Sequence, residues 1–160
     1  MGFMFNAAFT DLLLLALAAI LVVAAIIDVR TFTISNRLNA TVALGAPLYW
    51  LSIAMAPWPG MAIQLAAGGI VFGLLAGAFY AGMMGGGDVK LAAALALWFS
   101  PVMTVNFLIW MSIGGGVLTA VVLVLHRAKK KPGKPEVPYG VAIAFGGLVI
   151  LIQRFLNQFV

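Results

Sequence analysis

The sequence predicts an all-α protein: a polytopic membrane helix bundle of about six transmembrane helices, the fourth short and preceded by a glycine-rich loop. Three observations carry this. Hydrophobic residues make up 64% of the chain and charged residues 8%, against about 25% charged in an ordinary soluble domain. That leaves too little polar surface to cover a water-soluble globule, so the bilayer acts as solvent. The long apolar runs lack the alternation of barrel strands, and helices are then the way to satisfy backbone polar groups in lipid. Five of the nine basic residues crowd between Arg127 and Lys134, flanked by apolar runs. Despite the net charge of +5, this reads as a cytoplasmic loop and not as a nucleic-acid surface.

Each span follows from the breaks around it, within one domain covering residues 1–160. The first span, about residues 8–28, follows a segment, Met1 to Thr10, without positive charge. It lacks the basic start of a cleavable signal peptide and is expected to be retained. A polar, β-branched stretch from Thr31 to Asn36 separates it from the second span, 38–56. Ala56-Pro57-Trp58-Pro59-Gly60 forms a turn with an aromatic at interface depth before the third span, 61–84. Gly85-Gly86-Gly87 holds a regular helix only at a cost, so the fourth span, 88–99, opens at Asp88. It ends at Ser100-Pro101, because the residue before proline disfavours helix. The fifth span is 102–126. A solvated loop from Lys129 to Pro138 leads to the sixth, 137–153.

The fourth span has 12 residues, roughly 18 Å at about 1.5 Å per residue, whereas the hydrocarbon core is about 30 Å thick. Either the outer break lies later, or Gly85–Gly87 dips into the membrane and sets Asp88 below the surface; the second reading is preferred. Alternating sides place Arg30, Arg37, Lys90, Arg127, Lys129, Lys130, Lys131 and Lys134 together and leave Arg154 opposite. By the positive-inside rule both termini are outside, and the loops holding Asp28 and Asp88 face the cytoplasm.

Absence of cysteine excludes disulfides, thiolate zinc sites and a cysteine nucleophile. The single histidine, His126, excludes a multi-histidine metal site, so no metal and no cofactor is expected. The four acidic residues are Asp11, Asp28, Asp88 and Glu136. Ionisable groups inside a membrane are costly and are functional candidates by default. Asp28 closes the first span and Asp88 opens the fourth, so both lie on the same side and can meet across a helix interface. Two close carboxylates share one proton and titrate as a pair. One then serves as general base on a water, and the other hydrogen-bonds a scissile carbonyl and protonates the leaving nitrogen. The glycines beside Asp88 let an extended substrate backbone lie close. A plainer reading makes both aspartates interfacial residues paired with Arg30 and Lys90, or helix caps, Asp88 capping the fourth span.

Three segments resemble the type IV prepilin peptidase family, whose members are GxGD aspartic proteases. Asp28-Val29-Arg30-Thr31-Phe32-Thr33-Ile34-Ser35-Asn36 is similar to its first aspartate and the loop ending Ile-Pro-Asn. Gly85-Gly86-Gly87-Asp88-Val89-Lys90 fits Gly-x-Gly-Asp-x-Lys. Val137-Pro138-Tyr139-Gly140 looks like the Pro-Phe/Tyr-Gly-Pro start of its last span. Ser35 and Val141 stand where the family usually has proline. The resemblance implies catalytic roles for Asp28 and Asp88 and a membrane endopeptidase that cleaves the cytoplasmic leader of prepilins at the inner membrane. It implies a prepilin substrate, and membrane lipids and pilus assembly machinery as further partners. Larger members carry a cysteine-bearing N-terminal region and N-methylate the product. Without it, no methyltransferase activity is expected, and the size resembles the small peptidases of Flp-type tight-adherence pili; archaeal preflagellin peptidases are also similar.

The remaining features have plainer readings beside functional ones. Arg30, Asn36 and Lys90, with Pro138, Tyr139 and Gly140 and the glycines 85–87, are candidates for binding substrate or tuning the pair; Arg37 reads equally as a snorkelling cation. The steps Gly69, Gly73 and Gly77 read as helix-packing positions; Gly114-Gly115-Gly116 read the same way, or as loosening a helix near the substrate path. Tyr49, Trp50, Trp58, Trp98 and Trp110 read as interfacial anchors, and the basic run as a lipid contact. A rival class is a small transporter or channel component relaying protons or cations through the two aspartates. A third is a non-catalytic scaffold. Transporter sites usually sit at mid-membrane between inverted repeats, and neither feature is visible here.

Overall fold

The computed structural model describes residues 2–129, 133 and 135–157, with side chains from Ala7 onward. It holds six helices: α1 (Gly2–Thr31), α2 (Asn36–Ser52), α3 (Ala62–Tyr80), α4 (Gly86–Ala96), α5 (Pro101–Ala128) and α6 (Tyr139–Asn157). No strand occurs among the described residues. Lys130, Lys131 and Lys134 of the basic run lie outside them.

Four segments are long and apolar enough to cross a membrane: Ala7–Thr31, Pro57–Tyr80, Pro101–Ala128 and Tyr139–Asn157. The other two helices fall short of that length. α2 has 17 residues and contains Pro47. α4 has 11 residues, roughly 16 Å of helix, so the short fourth element foreseen from the sequence is present.

Local chemistry sets the boundaries. Phe32 adopts a left-handed conformation (φ 52°), which turns the chain out of α1. The Ser35 hydroxyl accepts the Leu38 N–H at 3.3 Å and caps α2. Ser100 caps α5 in the same way at 3.4 Å, with Pro101 at the first helical position. Before α3, Trp58 leaves helical geometry (φ −127°, ψ 129°), and its side chain is exposed at the expected break. The glycine run departs from expectation: Gly85 is the cap, and Gly86 and Gly87 belong to the first turn of α4.

α4 and α6 form the core. Leu91, Ala92, Leu95 and Ala96 of α4 are fully buried, enclosed by α2, α3 and α6. α6 lies against α1 and α5 as well. Its Gly146 allows this, since a Cβ there would stand 2.9 Å from the Met111 amide nitrogen. α3 and α5 are peripheral and turn rows of apolar side chains outward, among them Leu65, Ile70, Leu74, Val105, Val117 and Val124; this is the surface that lipid covers.

Two packing expectations need correction. Tyr49, Trp50 and Trp98 are buried core residues, not interfacial anchors. Because α4 stops early, carbonyls near its end lack helical partners. One of them, that of Leu97, accepts from Trp50 Nε1 at 2.8 Å; Trp98 Nε1 donates to the carbonyl of Val42, within α2, at 2.8 Å. The close approach on α3 is made one position earlier than the small-residue steps suggested. A Cβ on Gly68 would meet Leu97 Cδ2 at 2.6 Å, whereas one on Gly69, Gly73 or Gly77 would meet nothing within 4 Å.

Candidate active site

The end of the bundle where α1 finishes and α4 and α6 begin gathers most of the residues singled out from the sequence. Asp28 occupies the last turn of α1 and is 2% exposed. The first turn of α6 faces it: the backbone N–H of Gly140 lies at its carboxylate, with that of Val141 nearby, donating to the Pro138 carbonyl at 3.2 Å. A helix N-terminus is the positive end of the macrodipole, so this is a favourable seat for an anion. Only glycine fits at 140, since a Cβ would stand 2.8 Å from both Cγ and Oδ2 of Asp28. Asp28 Oδ2 itself has no hydrogen-bond partner among the described residues.

Asp88 is the third residue of α4. Its Oδ2 accepts the Gly85 N–H at 3.1 Å, so it does part of the capping work that the plainer reading foresaw. It does so from inside the first turn, not from the cap position. The loop between α1 and α2 fits between these two helix starts. Ile34 is buried there, with its side chain against Gly140 and its carbonyl against Gly87; a Cβ at 87 would meet that oxygen at 2.6 Å. Asn39 Nδ2 then donates to the Gly87 carbonyl at 2.9 Å. Three segments far apart in sequence therefore fix one another, and the two carboxylates come close enough to feel each other's charge.

Asp88 and Gly85 open onto a cavity of about 770 Å³ that is also lined by Thr33, Thr119, Glu136 and Tyr139. This is within the range of ligand sites, about 300–1,000 Å³. Lys90 and Asn36 are joined by a 2.8 Å hydrogen bond from Nζ to Oδ1, but they line a separate groove with Asn39 and Gly68. Arg30 is exposed at the end of α1 and Pro138 is buried; neither lines the Asp88 cavity. No cluster of three or more metal-binding side chains occurs among the described residues.

Sequence reasoning gave no role to Ile34, Asn39, Met84 or Thr119. Asn39 carried a signal, being an amide one turn after Asn36 in an otherwise apolar run. Ile34 lies in the segment that resembles the family's Ile-Pro-Asn loop, but nothing else in the sequence distinguishes it from other core residues.

The profile of the type IV leader peptidase family matches residues 15–120, well over half of the chain, with Asp28, Asn39, Gly85–Gly87 and Asp88 all inside the match. The chain belongs to that family. As a member it is a protease of a membrane-bound family. The segment Val137–Gly140, whose amide faces Asp28, lies beyond the matched residues. No match is found among curated proteins or solved structures.

Proposed function

We propose that this leader peptidase is an aspartic endopeptidase that removes the cytoplasmic leader of type IV, Flp-like prepilins at the inner membrane, with Asp28 and Asp88 activating water. The observation that carries the reading is the approach of two buried carboxylates from distant helices, one of which, Asp88, lines an open cavity. With one proton shared between them, the ionised carboxylate takes a proton from a water molecule as its oxygen attacks the scissile carbonyl carbon. The protonated carboxyl donates a hydrogen bond to the carbonyl oxygen, and its proton passes to the leaving nitrogen as the C–N bond breaks. Gly85, at the rim of the cavity, leaves room for an extended substrate backbone to lie against the chain. The cytoplasmic placement of this end rests on the lysine and arginine count, and it is where a leader preceding a membrane-inserted segment would lie.

The test is cleavage of a prepilin-like peptide by the purified protein, read by mass spectrometry. Asp28→Asn and Asp88→Asn are each expected to lower the rate by about 10²–10⁴-fold or more while the protein still inserts. Asp11→Asn, near the other end of α1, is the control and keeps full activity. Asparagine is chosen because it caps helices about as well as aspartate and still accepts the Gly85 N–H. A purely structural Asp88 would tolerate it, and full cleavage by either variant overturns the proposal.

A further inference from the structure

A second cavity, of about 360 Å³, opens beside the first, between α5 and α6. Met84, Thr119 and Tyr139 line both. Their chemistry differs. The larger carries Asp88, Glu136, Thr31 and Thr33, whereas the smaller is walled mainly by Met111, Gly115, Gly116 and Ile143. A chamber of mixed lining, polar at Asp88, Glu136, Thr31 and Thr33 but apolar at Phe32, Met83, Leu123 and Val137, thus runs into a more apolar notch on a helix whose outer face is exposed and hydrophobic.

The notch exists because α5 carries three successive glycines, each costing a helix about 1 kcal/mol relative to alanine. Packing accounts for one: a Cβ on Gly114 would meet Phe145 Cδ1 at 2.8 Å. At Gly115 the nearest atoms, on Ala142 and Tyr139, would be 3.6 Å away, an ordinary contact, and at Gly116 nothing lies within 4 Å. The fold does not require glycine at 116. A side chain there would fill the notch.

We infer that this notch seats the first residues of the substrate's hydrophobic segment, just past the scissile bond, and that Gly116 is a specificity-determining position. The inference rests on the proposed peptidase reading and deepens it. A substrate with a polar leader followed by an apolar helix has the same order of chemistry as the two joined cavities. The shared lining places the change from polar to apolar beside Asp88, where the bond to be cut would lie. A lipid chain or a second copy of the protein would have no reason to require that junction.

The test compares two peptides with the same leader and scissile bond, one continuing into an apolar segment and one with that segment replaced by serines. The wild-type protein is expected to prefer the apolar peptide by about tenfold or more in kcat/KM, the range that apolar pocket contacts supply. Gly116→Leu is expected to lose about tenfold on the apolar peptide, through KM, and to match wild type on the serine peptide. Gly116→Ala should fall between. Thermal unfolding of both variants should fall at or above the wild-type midpoint, because alanine and leucine favour helix over glycine and a Cβ at 116 meets nothing within 4 Å. The inference is overturned if Gly116→Leu cleaves the apolar peptide as well as wild type does, the result expected of a notch filled by lipid or by another copy. Equal losses on both peptides overturn it too. In either case wild-type cleavage of the apolar peptide survives. If wild type cleaves neither peptide, the proposed function itself has failed and the notch assignment falls with it.

Discussion

At the end of the bundle where α2 finishes, polar groups are provided for: Trp50 and Trp98 donate to backbone carbonyls, Thr10 bonds Ser52, and Arg154 donates to the Tyr49 hydroxyl while lying 5.2 Å from its ring centroid. At the opposite end, Asp28 Oδ2 and Asn39 Oδ1 are buried without partners among the described residues, and a cavity opens beside Asp88. Buried polar groups are normally satisfied, and each exception asks for an explanation such as a catalytic role or a bound water. Satisfied networks rigidify a fold. One end therefore reads as scaffold. The other keeps hydrogen-bonding capacity in reserve for substrate and water.

Substitutions at the two ends should then have opposite signatures. The largest effect is expected at Gly140. In Gly140→Ala the new methyl would stand 2.5 Å from Ile34 Cδ1 and 2.8 Å from the Asp28 carboxylate. The isoleucine tip can rotate away, but the carboxylate cannot move without leaving the amides of α6. A displacement on the order of 1 Å at a reacting group can cost about 10²-fold, and overpacking costs about 1–3 kcal/mol. Peptide cleavage should collapse and the thermal midpoint should fall modestly. Unchanged cleavage would show that the seat of Asp28 is not tuned by α6. Trp98→Phe should behave the other way. It removes a second donor to the helical Val42 carbonyl, a hydrogen bond worth about 0.5–1.5 kcal/mol, and leaves empty part of the space where the indole packs against Gly45. Stability should drop, while kcat/KM per folded molecule stays at the wild-type value.

The contrast also explains what could be read from the sequence. The helical bundle, its breaks and the short fourth helix were legible, because lipid enforces apolar runs and Gly, Pro and Ser mark their ends. The two aspartates stood out because so few acids occur in so apolar a chain. Their surroundings were less visible. The glycine run reads as a loop ending at Asp88, yet Gly85, three residues earlier, takes the cap position and the Asp88 carboxylate closes the first turn from within. Residue type alone points Trp50 and Trp98 to the interface, whereas in the core the Leu97 carbonyl just past α4 and the Val42 carbonyl of α2 accept their indole N–H groups. Gly69, Gly73 and Gly77 had the familiar spacing, but the helix turned its neighbour Gly68 inward. Spacing alone leaves open which of two adjacent rows of a helix faces its partner; the shape of Leu97 across the interface settles it.

The smallest effect tests the comparison where it is weakest. Gln64, in the first turn of α3, is 4% exposed, and its Oε1 is buried without a partner, although it belongs to the end where other polar groups are satisfied. If nothing depends on this oxygen, Gln64→Met replaces an unpaired polar group with an apolar one of similar length. Removing a buried polar atom that makes no hydrogen bond recovers part of its desolvation cost, so stability should be unchanged or rise by about 0–1 kcal/mol, with cleavage untouched. A clear loss in thermal stability would mean that the Gln64 amide is tied to a bound water. The scaffold end would then be satisfied throughout, and unpartnered oxygens would be confined to the neighbourhood of the aspartates. A gain would mean instead that the scaffold carries one polar group it does not need, and that an orphaned oxygen marks a functional site only where, as at Asp28, it is joined to a second carboxylate and an open cavity.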